Sequence, residues 1–283
     1  MGDVSGTEQE EGMPLLAHLK ELRDRIFFAL LVFIVAVVVC FSVASELVDF
    51  LTAPMRHVLG GLDPTSTADQ VYLLLSQPIH RLLEATSFST AHIQGELVIT
   101  TSPLEGVYTY LMVTVVGGLI LSSPVVAYQI WKFIAPGLYK TEQRVVLPLA
   151  VSSSVMFILG AGFVYAVIFP VAFPFFLSVI DAAPMLSVVG LLKTEMRMMI
   201  AFGICFQLPV ATWFLANLGL IDHTDMVKGF RYAVVVIFFL SALITPPDVL
   251  TQLLLGFPLV GLYGVGIFVA YLSSTKEREE AAT

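Results

Sequence analysis

The sequence predicts an all-α polytopic membrane protein with six transmembrane helices and both termini cytoplasmic. Three observations predict it. Of 283 residues, 57% are hydrophobic and only 13% charged, where a soluble domain carries about 25% charged residues; mean hydropathy is +0.89. Apolar stretches recur at lengths near the ~20 residues that a helix needs to cross a bilayer. Lys and Arg gather on alternate connections between those stretches, the asymmetry that sets orientation.

Residues 1–13, with Asp3, Glu8, Glu10 and Glu11, read as a disordered acidic tail; they lack the cationic and apolar regions of a cleaved targeting peptide. A single membrane domain follows over 14–272. Its first span is 26–44, preceded by Lys20-Glu21-Leu22-Arg23-Asp24-Arg25. An exterior insertion covers 45–102. Within it Val71, Leu74, Leu75, Ile79, Leu82 and Leu83 recur at helical spacing over 68–85, the pattern of an interfacial or capping helix. Pro54, in the same insertion, is assigned a structural role. The second span begins near 103–104 and ends about residue 130. The third is 145–169, the fourth 196–218, and the fifth, 232–244, is short. The sixth, 249–271, carries Gly256, Pro258, Gly261, Gly264 and Gly266. Residues 273–283, with Glu277, Glu279 and Glu280, form a second disordered tail on the cytoplasmic side.

Orientation rests on Lys and Arg alone. One side receives Lys20, Arg23, Arg25, Lys132, Lys140, Arg144, Lys228 and Arg231, and both tails; the other receives Arg56, Arg81, Lys193 and Arg197 over longer connections. The first side is cytoplasmic.

Several function classes drop out. The formal net charge of −8 argues against nucleic acid. No nucleophile elbow, zinc-protease helix, phosphate loop or Cys-x-x-Cys occurs, so neither an enzyme nor a bound cofactor is expected. Cys40 and Cys205 lie in apolar runs without ligand spacing and read as small hydrophobes. A small-solute secondary transporter is the rival class, but it calls for ionisable groups near the midplane and matching broken helices.

What remains is chemistry at the membrane surface. The stretch 122–144 joins two spans and combines Trp131, Phe133, Leu138 and Tyr139 with Pro136-Gly137 and one carboxylate, Glu142. A basic turn would suffice as an anchor; aromatic side chains beside a carboxylate suggest a loop that holds something. Taken alone, Glu21 and Glu142 also fit an ordinary charge-balanced anchor and a surface ion pair. Gln207 lies deep in Phe206-Gln207-Leu208-Pro209, where Pro209 frees the carbonyl of Cys205. Two readings stand open for it: a structural amide, or a contact for a partner helix. Thr245-Pro246-Pro247-Asp248 makes a stiff turn in which Asp248 can cap the helix that follows.

The motifs together resemble the TatC family. They are His18-Leu19-x-Glu21-Leu22-Arg23-x-Arg25, the block from Ser123-Pro124 through Tyr128-Gln129-x-Trp131-x-Phe133 to Lys140-x-Glu142, Phe202-Gly203…Phe206-x-Leu208-Pro209, and Arg231-Tyr232-Ala233…Thr245-Pro246-Pro247-Asp248-Val249. The resemblance covers nearly everything from residue 13 to 271. It implies six helices in a cupped arrangement and a receptor subunit of the twin-arginine protein translocase, driven by the proton gradient. It further implies that Glu21, Arg23, Phe133 and Glu142 bind the paired arginines of signal peptides on folded precursors. Gln207, Thr245, Pro246, Pro247, Asp248 and Gln252 would then dock small single-span TatA-like and TatB-like subunits, with self-association also expected. The chain departs from the family's pattern at Gln207, where glutamate is common, at Tyr263-Gly264, where Tyr-Glu is common, and in its longer exterior insertion.

Overall fold

The computed structural model describes residues 15–58, 66–85, 98–99, 104–134, 146–179, 186–244 and 249–280. The elements in order are α1 (Leu15–Ser42), α2 (Ala44–Val58), α3 (Thr67–Ala85), β1 (Val98–Ile99), α4 (Leu104–Ile134), α5 (Val146–Phe163), a π-helical turn (Val164–Ile168), α6 (Phe169–Val179), β2 (Leu186–Ser187), α7 (Val188–Cys205), α8 (Leu208–Asn217), α9 (His223–Ile244) and α10 (Val249–Glu280). Among the described residues, six segments are long and apolar enough to cross a membrane: Leu19–Ser42, Leu104–Ile134, Val146–Pro174, Val189–Asn217, His223–Ile244 and Gln252–Leu272.

The spans are as many as expected, but their bounds differ, for one physical reason. Hydropathy marks where side chains meet lipid, whereas a helix propagates one hydrogen bond per residue through any tolerant sequence. So α1 begins at Leu15, well before residue 26. The fifth span is not short, because α9 starts at His223 and carries its exposed Lys228 on the same helix. Likewise α10 stays helical to Glu280, through part of the segment that composition marks as a tail. The fourth span starts earlier than residue 196, at Val189, and is broken: α7 stops at Cys205 and α8 resumes at Leu208.

The insertion 45–102 is not merely a loop around one amphipathic helix. Its first part is α2, packed on α3, which spans Thr67–Ala85 as the periodicity predicts. Arg56 joins the two helices. Its Nη1 donates to Thr52 Oγ1 at 2.7 Å, and its Nη2 to the Asp49 carbonyl and to buried Asp69 Oδ1, both at 2.6 Å. Pro54 sits buried inside α2. Lacking an N–H, it leaves the Phe50 carbonyl without its helical donor, and the Tyr165 hydroxyl from the π-helical turn donates to that carbonyl at 2.7 Å. β1 and β2 add a two-residue parallel pairing, Val98 with Leu186 and Ile99 with Ser187.

The main core gathers Tyr72, Val113, Tyr165, Ile168, Met198, Phe202 and Leu255 from α3, α4, the π turn, α7 and α10. Helices approach closely where side chains vanish. A Cβ on Gly118 of α4 would lie 2.6 Å from Val37 Cγ2 and 2.9 Å from the Val37 nitrogen of α1. A Cβ on Gly160 of α5 would meet the Phe202 carbonyl of α7 at 2.7 Å. Glu195 is fully buried on α7 (1% exposed), and its Oε1 has no hydrogen-bond partner among the described residues. The expected span began one residue after it, so no cost of burial was weighed at that position.

Candidate functional site

The site lies where α1 and α4 meet at one end of the bundle. The two helices run antiparallel: Val37 faces Gly118 in the middle, and Arg25 reaches Gln129 nearer the end. One turn further along each helix come Glu21 and Phe133, which this register brings to the same level. α4 closes at Ile134 there.

Glu21 is half-buried, its side chain 24% exposed. The Arg25 Nε donates to Glu21 Oε1 at 3.0 Å, and Nη2 donates to the same oxygen. Arg25 Nη1 points across to Gln129 Oε1 at 3.4 Å. These groups, with Lys20, Asp24 and Phe28, line an open depression of about 500 Å³. An anion, a guanidinium and a neutral amide thus share one partly desolvated niche that Phe28 also lines.

The sequence-predicted residues do not all converge on it. Arg23 turns outward and bonds Asp24 Oδ1 through Nε at 2.9 Å and Nη2 at 2.8 Å, in a pair 60% and 57% exposed. Phe133 is half-buried on α4. Glu142 lies outside the described residues. Trp131, read as part of a surface loop, belongs to α4 and is a packing residue: its Nε1 donates to Ser153 Oγ at 2.8 Å, and its ring stands edge-on to Phe214 at 4.8 Å. The stretch expected to form a surface loop is therefore helical through Ile134, because Pro124 does not end α4. The carbonyl that Pro124 leaves without a donor, that of Ile120, accepts from Ser123 Oγ at 2.7 Å.

A second cavity, about 380 Å³ and almost wholly apolar, lies between α4, α5 and the α7–α8 break, lined by Leu119, Ala127, Ser153, Phe157, Ile204 and Gln207 among others. At the break, the Gln207 backbone N–H shifts to the Ile204 carbonyl at 3.0 Å. The side-chain Nε2 then takes over the Gly203 carbonyl at 3.2 Å and also donates to Ser153 of α5 at 3.0 Å. Both amide donors are used within the fold; Gln207 Oε1 has no partner among the described residues. Gln252 similarly ties α10 to α9, donating to the Phe238 carbonyl at 2.9 Å. Thr245, Pro246, Pro247 and Asp248 lie outside the described residues.

The family model for the Sec-independent protein translocase protein (TatC) matches residues 17–258. The chain belongs to the TatC family. It is 36% identical over 275 residues to the Sec-independent protein translocase protein TatC of Escherichia coli (strain K12), covering 96% of this chain and 94% of that one. Against the protein of the same description from Campylobacter jejuni it is 36% identical over 258 residues, covering 90% and 92%. Among solved structures, the crystal structure of a twin arginine translocase receptor TatC superposes with a TM-score of 0.71 at 29% identity, over 91% of this chain and 99% of that chain.

This TatC-family chain is accordingly a multi-pass component of the Sec-independent, twin-arginine protein translocase of the inner membrane, and not an enzyme. The solute-transporter alternative has no support among these likenesses. Of the groups lining the α1–α4 niche, the sequence reading names only Glu21 as a site residue; the two that contact one another there, Arg25 and Gln129, it does not. Arg25 was legible in principle, since Glu and Arg at i,i+4 face each other on a helix. Gln129 was not, because only the antiparallel register brings it to Arg25.

Proposed function

We propose that this protein is the receptor subunit that captures twin-arginine signal peptides of folded precursors, with Glu21 and Glu142 as acceptors for the two arginines. Phe133 supplies apolar contact at the level of Glu21, and Arg23 lies at the solvent-facing rim. The observation that carries the reading is that the half-buried Glu21 is already held by a guanidinium fork within an open depression. A niche that accommodates arginine beside this carboxylate suits an arginine arriving from outside. Guanidinium gives a carboxylate parallel hydrogen bonds that a lysine ammonium does not reproduce, which supports discrimination of Arg-Arg from Lys-Lys. After capture, single-span TatA-like and TatB-like subunits dock at the faces bearing Gln207 and Gln252, and translocation draws on the proton gradient. The site end of α1 and α4 faces the cytoplasm in this reading, as the Lys and Arg distribution requires.

The test is peptide capture by purified full-length protein in nanodiscs. Glu21→Ala combined with Glu142→Ala is expected to abolish binding of an Arg-Arg signal peptide, while each single change weakens it at least about tenfold, one charge-assisted pair being worth roughly 1.5–3 kcal/mol. Unchanged affinity in the double variant rules the assignment out.

A further inference from the structure

We infer that Arg25 is a resident, autoinhibitory ligand of the receptor carboxylate: it occupies Glu21 when no signal peptide is bound and must be displaced for capture. The inference rests on the reading of Glu21 as the acceptor for a signal arginine.

The geometry is that of a filled site. Two of the Arg25 N–H groups, Nε at 3.0 Å and Nη2, converge on Glu21 Oε1, and Nη1 donates to Gln129 Oε1 on the neighbouring helix. Both side chains are largely withdrawn from water, Arg25 to 17% and Glu21 to 24% exposure. Arg23, two residues away, makes a bond of the same chemical kind to Asp24 but in the open, 60% exposed, where solvent competes for both partners. Exposure separates the two pairs. Glu21 without a counter-charge would be a partly desolvated anion, and Arg25 supplies that charge in the resting state.

An incoming guanidinium that forks across both carboxylate oxygens needs Oε1 as well as Oε2. Because donors already converge on Oε1, a second fork cannot take it without the first letting go. Displacement exchanges one guanidinium for another, so the carboxylate stays paired throughout. Gln129 holds the released Arg25 by the bond it already accepts. Its neutral oxygen is the weaker partner of the two, which favours exchange over a locked pair.

The energetic consequence follows from competition. Only the fraction of molecules with the Arg25–Glu21 pair open is competent, and the apparent dissociation constant rises by the reciprocal of that fraction. A pair open about 10–30% of the time weakens capture roughly three- to tenfold. The attenuation applies equally to any cation that needs Glu21. Arg25 therefore sets how tightly peptides are held, and hence how readily they leave, without itself setting the preference for arginine over lysine.

The experiment compares affinities of an Arg-Arg and a Lys-Lys signal peptide for full-length wild-type protein, Arg25→Gln and Glu21→Ala in nanodiscs. Arg25→Gln is expected to bind both peptides about three- to tenfold tighter with an unchanged ratio between them, while Glu21→Ala weakens Arg-Arg capture at least about tenfold. Unchanged or weaker binding in Arg25→Gln, with Glu21→Ala still weakened, overturns the role of Arg25 and leaves the receptor site standing. Arg-Arg affinity that is unchanged in Glu21→Ala overturns the receptor reading itself. A readout in the wild-type protein covers the case of an unstable variant: the Arg25 Nε–H nuclear resonance should move on saturation with the Arg-Arg peptide, and a resonance that stays in place overturns the proposal.

Discussion

Gln207 shows how one side chain holds a membrane span together where its backbone breaks. Pro209 donates no N–H, the chain turns at Phe206–Gln207, and the Gly203 carbonyl loses its backbone donor. Within a bilayer no water replaces it. The Gln207 amide supplies one N–H to the Gly203 carbonyl, closing that deficit, and the other to the Ser153 carbonyl of α5, tying the break to its neighbour. Replacing Gln207 by Ala should therefore lower stability by about 1–3 kcal/mol, the cost of leaving the Gly203 carbonyl unpaired, read as a fall in melting temperature in detergent. Glu in its protonated form offers a single donor and should fall between the two. A Gln207→Ala protein that melts with the wild type would show these bonds to be dispensable. The presence of a polar group here was legible from sequence, since Gln207 interrupts an apolar run. Its use was not, because Ser153 is 54 positions away. Glu195 was illegible for a different reason: one carboxylate at the edge of an apolar run looks like an interface residue until packing buries it.

At the scale of elements, two prolines inside helices, Pro54 and Pro124, are met by hydroxyls. The Ile120 carbonyl below Pro124 accepts from Ser123 on the same helix, whereas the Phe50 carbonyl below Pro54 accepts from Tyr165 on the π-helical turn. The first repair is local. The second joins helix α2 to the main core, stacking the Phe50 and Tyr165 rings at 4.5 Å as it does so. A double-mutant cycle can isolate it. Tyr165→Phe should cost about 1–3 kcal/mol in the wild-type background. It should cost much less in Pro54→Ala, where the restored N–H supplies the carbonyl; equal losses in both backgrounds would contradict the coupling. α2 escaped the sequence reading because Pro54 breaks its apparent continuity, although Leu47, Val48 and Leu51 fall at helical spacing around it. By contrast α3 was foreseen almost to the residue, its apolar stripe being uninterrupted through Leu75.

The molecule as a whole is ordered by its charge asymmetry. If the Lys and Arg distribution sets orientation, Ser66, between α2 and α3, faces the exterior, and Lys228, near the start of α9, faces the cytoplasm. With Cys40 and Cys205 replaced by Ser, a membrane-impermeant maleimide should label Ser66→Cys in intact cells and Lys228→Cys only after permeabilisation; the reverse pattern would invert the topology. Sequence alone determined the class, six spans, the α3 helix and the family, because composition, apolar length and ordered motifs are local properties that survive without coordinates. It also singled out Glu21 and Phe133, which belong to those motifs. Only the tertiary structure decided who touches whom: the glycine contact at Gly118 sets α1 against α4, that register brings Gln129 to Arg25, and Arg25 fills the carboxylate that the motif supplies. Such contacts depend on interhelical register, a quantity fixed by packing between distant segments and written in neither of them separately.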